Sequence, residues 1–346
     1  MTSVVAPNTT DELARVLRQA SSESKVVQVR GSGTRSGYGS PPPPDILVSM
    51  AGMSGIISWE PDDLTVVVGA GTRVADLESA LSQEGQTAAL PEVPGLSTIG
   101  GVIATGASSL RRARLYSTRE RILEATVVTG DGRVVRSGGR VVKNVSGYDL
   151  SRLHFGAFGA LGVIVSVCLK LWPVSPASAT VEIESLDEAR RVTRPLAVLE
   201  DRDRTRVYLW GTKAEVEALT NRFDDRVTPG LDWPSDPVGP YRWSLRVPPA
   251  LTPESMTRVP AGWDRLAIHD VGEVRLSSIS SDGAGELRSW AESVGGRLVV
   301  VEAPAGGLDG LDPWGEVPTA LDLQRALTEQ FDPKRIINPG RLPGGI

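Results

Sequence analysis

Two glycine-rich stretches carry the residue types that hold an anion. The first is Arg30-Gly31-Ser32-Gly33-Thr34-Arg35-Ser36-Gly37, which follows the apolar run Val26–Val29. Its small residues let successive backbone N–H groups converge into a nest, with Arg30 and Arg35 beside it. The second is Thr98-Ile99-Gly100-Gly101, with Ala104 one turn on. There a hydroxyl and adjacent glycines can present backbone N–H groups to a phosphate or to the edge of a flat ring. A third set, Gly156, Gly159 and Gly162, stands directly before Val163 and Ile164. Without a Cβ these positions either turn tightly or bring backbone close to something large.

Several common chemistries fit poorly. The first loop is not a dinucleotide fingerprint, because its third glycine falls one position late and Pro41–Pro44 follows where a helix is needed. It is not a Walker A loop either, since no G-K-[ST] appears. The single cysteine, Cys168, cannot form an internal disulfide or hold an Fe–S cluster, and it reads as an inert thiol in an apolar strand. Two histidines, His154 and His269, give poor support to a zinc site or a Ser-His-Asp triad. Hard redox chemistry, if present, must then come from an organic cofactor. A net charge of −5 leaves no basic footprint for nucleic acid, and Arg111, Arg112 and Arg114 read as solvated surface. The run Phe155–Leu169 is too short and too glycine-interrupted to span a membrane. No basic, then apolar, leader opens the chain, so a soluble cytoplasmic protein is expected.

The positioning elements follow from periodicity. Thr9 to Glu12 has capping-box spacing, and Leu13, Val16, Leu17 and Ala20 recur as one helical face. Short strands are expected at 26–29, 46–49, 56–60 and 65–68, then a helix with Val74, Leu77 and Leu81 inward. A hairpin spans 123–136 about Gly130-Asp131-Gly132. From Val163 to Leu171 odd positions are apolar and even ones include Ser166 and Lys170, which predicts a strand with one core face. Pro173 and Pro176 mark a boundary. Beyond it, strands are expected at 180–184, 206–210, 243–247, 265–269 and 299–302, and helices near 187–194, 214–223 and 283–294. Trp210, Trp233, Trp243, Trp263 and Trp290 all fall in this part, as core or as a flat lining. Residues 303–318 read as a linker, and 321–331 as a helix.

Lys143-Asn144-Val145-Ser146-Gly147-Tyr148-Asp149-Leu150 followed by G-A-F-G-A-L-G-V-I at 156–164 resembles the FAD-binding (E) subunits of bacterial glycolate oxidases. These are members of the vanillyl-alcohol oxidase, PCMH-type, flavoprotein superfamily. The tail, Asp332-Pro333 to Asn338-Pro339-Gly340-Arg341, is similar to the ending many members share. Residues 107–121 depart from the family pattern: Arg119 keeps its place, Ser117 replaces a glycine and Glu120 an aspartate. The resemblance implies an α+β fold, with a PCMH-type FAD-binding domain of two α/β lobes at 1–174, an inserted α+β cap at 175–318, and a segment at 319–346 returning to the FAD domain. It implies non-covalent FAD held by Arg30 to Arg35, Pro94, Thr98, Ile99, Gly100, Gly101, Ala104, Arg119, Asn144, Tyr148, Asp149, Gly159, Gly162, Val163, Ile164 and Asn338.

The implied activity is oxidation of a small 2-hydroxy acid, glycolate or D-lactate. On the cap Arg242, Arg246 and Arg275 are candidates to hold the carboxylate, and His269 to act as base. The implied partners are a second flavoprotein subunit and an Fe–S subunit, with peripheral contact at the inner membrane only through them. A different class stays open: a flavin-holding electron-transfer or assembly subunit with no turnover of its own. An NADPH-dependent reductase of the same superfamily fits the tail and the 143–149 motif less well.

Overall fold

The structure is a computed structural model and describes residues 2–92, 96–140 and 148–346. Thr9 caps the first helix, Thr10–Ser22, by accepting from the Glu12 amide at 3.2 Å, and the Glu12 carboxylate reaches back to the Asn8 amide. The helix buries Leu13, Ala14, Leu17 and Ala20, the face its spacing predicts. Two compact units follow from the chain path. The first comprises residues 1–109, 117–174 and 317–346, and the second comprises 110–116 and 175–316.

In the first unit β1 (Ser3–Val5), β2 (Val27–Arg30) and β3 (Ile46–Ser49) form a parallel sheet in the order β1-β3-β2. Next come β4 (Ile56–Glu60), β5 (Thr65–Gly69), the two-residue β6 (Gln86–Thr87), β7 (Ile122–Val128), β8 (Val134–Gly138), β9 (Val163–Lys170) and β10 (Trp172–Pro173). β6 pairs with β10, and the rest make an antiparallel sheet ordered β4-β5-β9-β7-β8. β9 is central, and it differs from its expected single core face. Ile164 and Cys168 are as buried as Val163, Val167 and Leu169. With both faces covered, alternation fades into a continuous apolar run.

The tail joins this unit at β2. The Val27 amide donates to Ile336 O at 2.8 Å and the Asn338 amide to Val27 O at 2.8 Å, so residue 337 runs parallel to the strand.

The second unit is an eight-stranded antiparallel sheet of β11 (Ala177–Ile183), β12 (Ala197–Glu200), β13 (Thr205–Gly211), β14 (Val227–Pro229), β15 (Tyr241–Arg246), β16 (Asp264–Ile268), β17 (Glu273–Ser278) and β18 (Arg297–Glu302). Their order is β14-β11-β13-β12-β16-β17-β15-β18. Trp243 and Trp263 stack at 5.3 Å inside its core and are buried, whereas Trp210, Trp233 and Trp290 are half-buried. The segment read as a linker packs back: Arg288 donates to Asp312 O at 2.6 Å and the Val300 amide to Pro313 O at 2.8 Å. Among the described residues no helix is long and apolar enough to cross a membrane.

Candidate cofactor site

One cleft in the first unit collects the three glycine segments and the tail, enclosing about 880 Å³ of open space. Arg30 through Arg35 line it as a continuous run at the end of β2. Thr98, Gly100, Gly101 and Ala104 come from the helix Ile99–Ala104 and its cap, and Gly159, Gly162, Val163 and Ile164 from the start of β9. Asn338 reaches in from the tail.

The segments hold one another. Thr34 Oγ1 and Ser97 Oγ are 3.2 Å apart. A Cβ built on Gly31 would lie 2.2 Å from Thr98 Oγ1, so the first two loops meet where only glycine fits. The Gly156 amide donates to Ile103 O at 2.9 Å and the Phe158 amide to Ala104 O at 2.7 Å, docking the third segment on the helix. Asn338 Oδ1 accepts from the Val29 amide at 2.9 Å, while Nδ2 donates to Phe158 O at 2.9 Å. Its polar ends therefore bridge protein to protein, as a clamp between β2 and the third segment.

The two anion loops differ in what they offer. Among the described residues, the amides of Gly31, Ser32 and Gly33 donate to no protein acceptor. Gly33 has φ +81°, which turns the loop back on itself. In the second loop the expected donors are spent: Ile99 N bonds Thr72 O, Gly100 N bonds Ala70 O, Gly101 N bonds Thr98 Oγ1 and Val102 N bonds Thr98 O. That loop therefore supplies a flat glycine surface rather than an anion nest. Among the described residues the charged side chains lining the cleft are Arg30, Arg35 and Arg341, and no carboxylate joins them. Free amides, three guanidinium groups and a glycine floor suit a diphosphate attached to a flat ring system, as FAD is.

Other expected cofactor residues stand apart. Ile99 is fully buried in the core. Arg119 lies in an exposed turn, 3.4 Å from Glu120, because its neighbour Arg121 is the residue turned inward. Tyr148 is 92% exposed, and Asp149 accepts from Ser151 Oγ at 2.7 Å and pairs with Arg152 at 3.2 Å. These four do not line the cleft. Pro94 and Asn144 lie outside the described residues. Sequence reasoning missed Ser97, Thr105, Phe158 and Arg341, which do line it. The signal for Phe158 was its place among three glycines, where it adopts φ +51°.

The residues proposed for substrate are each engaged within the second unit. Arg242 pairs with Glu302. Arg275 binds Asp236 at 2.6 Å and Glu273 at 3.1 Å, and Arg246 stands 3.8 Å from Glu273. Arg112, expected as solvated surface, is instead half-buried and donates to Glu273 at 2.7 Å. Burial alone would raise the Glu273 carboxyl, but Arg112, Arg275 and Arg246 hold it at about 2. Burial likewise works against the Arg275 cation, and Glu273 with Asp236 outweighs it and raises its pKa. His269 Nε2 is 2.7 Å from Glu200. The arginines thus arrive with carboxylates already bound.

Residues 1–138 match the family described as FAD binding domain. The fold is like that of alkyldihydroxyacetonephosphate synthase, with a TM-score of 0.68 over 97% of this chain and 75% of that one, at 15% identity. Residues 1–138 thus make up an FAD binding domain, and the fold is that of the solved neighbour.

Among curated proteins the chain is 28% identical to glycolate oxidase subunit GlcE of Escherichia coli (strain K12), over 95% of this chain and 96% of that one. It is 34% identical to glycolate oxidase subunit GlcD of Bacillus subtilis (strain 168) and 32% identical to the D-lactate dehydrogenase of Archaeoglobus fulgidus, each over 49% of this chain. It spans 37% and 38% of the length of those two. The relatives it resembles are thus glycolate oxidase subunits and a D-lactate dehydrogenase.

Proposed function

We propose that this chain is the FAD-binding subunit of a glycolate oxidase- or dehydrogenase-like complex, acting on glycolate or D-lactate. The observation that carries the reading is the likeness to the E subunit along nearly all of both chains, joined to a cationic cleft with no carboxylate among its described lining residues. Bound there, FAD supplies two-electron acceptance from the hydroxy-acid carbon. The chain's own residues hold and orient it: the amides at 31–33 and the cleft arginines bind, and the glycine floor admits the flat ring. Cys168, the single cysteine, is buried on β9 with its thiol pushed up to about 11 by burial. Electrons then leave through a partner carrying Fe–S clusters, in a cytoplasmic complex that also holds a second flavoprotein subunit. Anaerobic titration of the reconstituted complex with glycolate and D-lactate should bleach the flavin of this chain. No bleaching by any 2-hydroxy acid would refute the reading.

A second reading draws support from the ion pairs of Arg242 and Arg275. In it the chain holds flavin for assembly or electron transfer, and the partner flavoprotein carries the chemistry. His269→Ala with Arg275→Ala separates the two. A loss in kcat/KM of about 10²-fold or more supports a substrate site on this chain. Normal turnover in an assembled, flavin-loaded complex supports the second reading.

A further inference from the structure

Arg341 is 6% exposed, lines the cofactor cleft, and has no carboxylate partner among the described residues. Its Nη1 donates to two carbonyls of the anion loop, Ser36 O and Tyr38 O, the latter at 2.7 Å. Neighbouring contacts bring the tail onto the same loop. The Ser40 amide donates to Gly340 O at 3.0 Å, and a Cβ on Gly39 would come within 2.9 Å of Arg341 Cα. Nε and Nη2 take no acceptor among the described residues. An arginine only 6% exposed, with neutral carbonyls as its hydrogen-bond partners, is costly to hold charged, and an anion in the cleft lowers that cost.

We infer that Arg341 is a positioning residue for the cofactor: it pins the loop at Ser36 and Tyr38 and supplies the buried positive charge that the FAD diphosphate neutralises. This rests on the FAD reading of the cleft. Burial alone lowers the pKa of this guanidinium, with no acid opposing it, in line with a site completed by an outside anion. Arg341 therefore weakens the flavin-free protein and strengthens the loaded one. A merely structural arginine would stabilise both alike.

The experiment compares the full-length wild type with Arg341→Gln and Arg341→Lys, measuring FAD dissociation constants, melting of flavin-free and flavin-loaded forms, and binding of inorganic pyrophosphate. For Arg341→Gln the FAD dissociation constant should rise about 10- to 100-fold, the scale of one charge-assisted contact. Its flavin-free melting temperature should hold or rise, pyrophosphate binding should vanish, and the salt dependence of FAD binding should flatten. Arg341→Lys keeps the charge but loses the fork, so it should retain pyrophosphate binding with intermediate FAD affinity. Wild-type FAD and pyrophosphate affinity in Arg341→Gln would overturn the inference, as would equal destabilisation of both forms. If Arg341→Gln does not fold, loss of pyrophosphate binding in a folded Arg341→Lys overturns it too. A wild-type chain that binds pyrophosphate through Arg341 but never FAD would instead sink the flavin reading.

Discussion

Replacing Asn338 by alanine tests whether the tail clamps the cofactor cleft. The side chain satisfies the Val29 amide and the Phe158 carbonyl, both at 2.9 Å. Removing it leaves one donor and one acceptor in a part-buried gap, at about 1–3 kcal/mol for a buried unmade hydrogen bond. Asn338 also sits at φ +47°, a left-handed conformation that costs alanine roughly 1 kcal/mol more than asparagine. The expected total is about 2–4 kcal/mol, a large share of the roughly 5–15 kcal/mol that holds a domain folded. Asn338→Gly removes the same bonds without the strain, so it should recover about 1 kcal/mol of the loss. Urea unfolding of the flavin-free chain reads the energy, and flavin titration reads the cleft. FAD affinity should fall in both variants, because β2 and the third glycine segment are no longer tied together. Alanine and wild type unfolding at the same midpoint would show that the tail does not act as a clamp.

Other outcomes follow from single features of the first unit. Gly33→Val should leave a folded chain that does not bind FAD, since φ is +81° and a Cβ would lie 2.4 Å from Arg30 Nε; normal flavin occupancy would refute it. Gly101→Ala meets only Thr98 Oγ1, at 3.1 Å, so it should melt within a few degrees of wild type, and a collapse would contradict the geometry. Burial pushes His154 from 6.5 down to about 4. The folded state keeps this ring neutral, so its contribution is complete above pH 6.5 and is lost as pH falls toward 4. At about 1.4 kcal/mol per pH unit that is about 3 kcal/mol, and His154→Leu should flatten the acid side of the stability curve; an unchanged slope would remove His154 as the cause. Cys168, 1% exposed with its thiol raised to about 11, should resist a thiol reagent until the chain is unfolded.

The parts of the fold legible in the sequence were those written in local periodicity. The helix after Thr9, the hairpin about residue 131 and the strand after Gly162 lie where spacing puts them, because each buries a face set by its own residues. β17 was not legible. Glu273 and Arg275 sit inside it and look like surface, yet Glu273 is buried and Arg275 half-buried because Arg112, Asp236 and each other satisfy them. The first anion loop could be read from its glycines. That the amides of the second loop are consumed by Ala70, Thr72 and Thr98 could not, since those acceptors are fixed by how the chain folds back. Arg341 looked like the end of a turn, and its contacts lie 305 and 303 positions away.

That separation orders events during synthesis. The loop at 31–38 leaves the ribosome early, but Arg341, which fastens it, and Asn338, which ties β2 to the third glycine segment, are translated some 300 residues later. A chain that stops before residue 338 keeps both glycine loops but lacks Asn338 and Arg341, and on the FAD reading it should stay colourless after reconstitution with FAD; flavin retained by such a chain would contradict the role given to the tail.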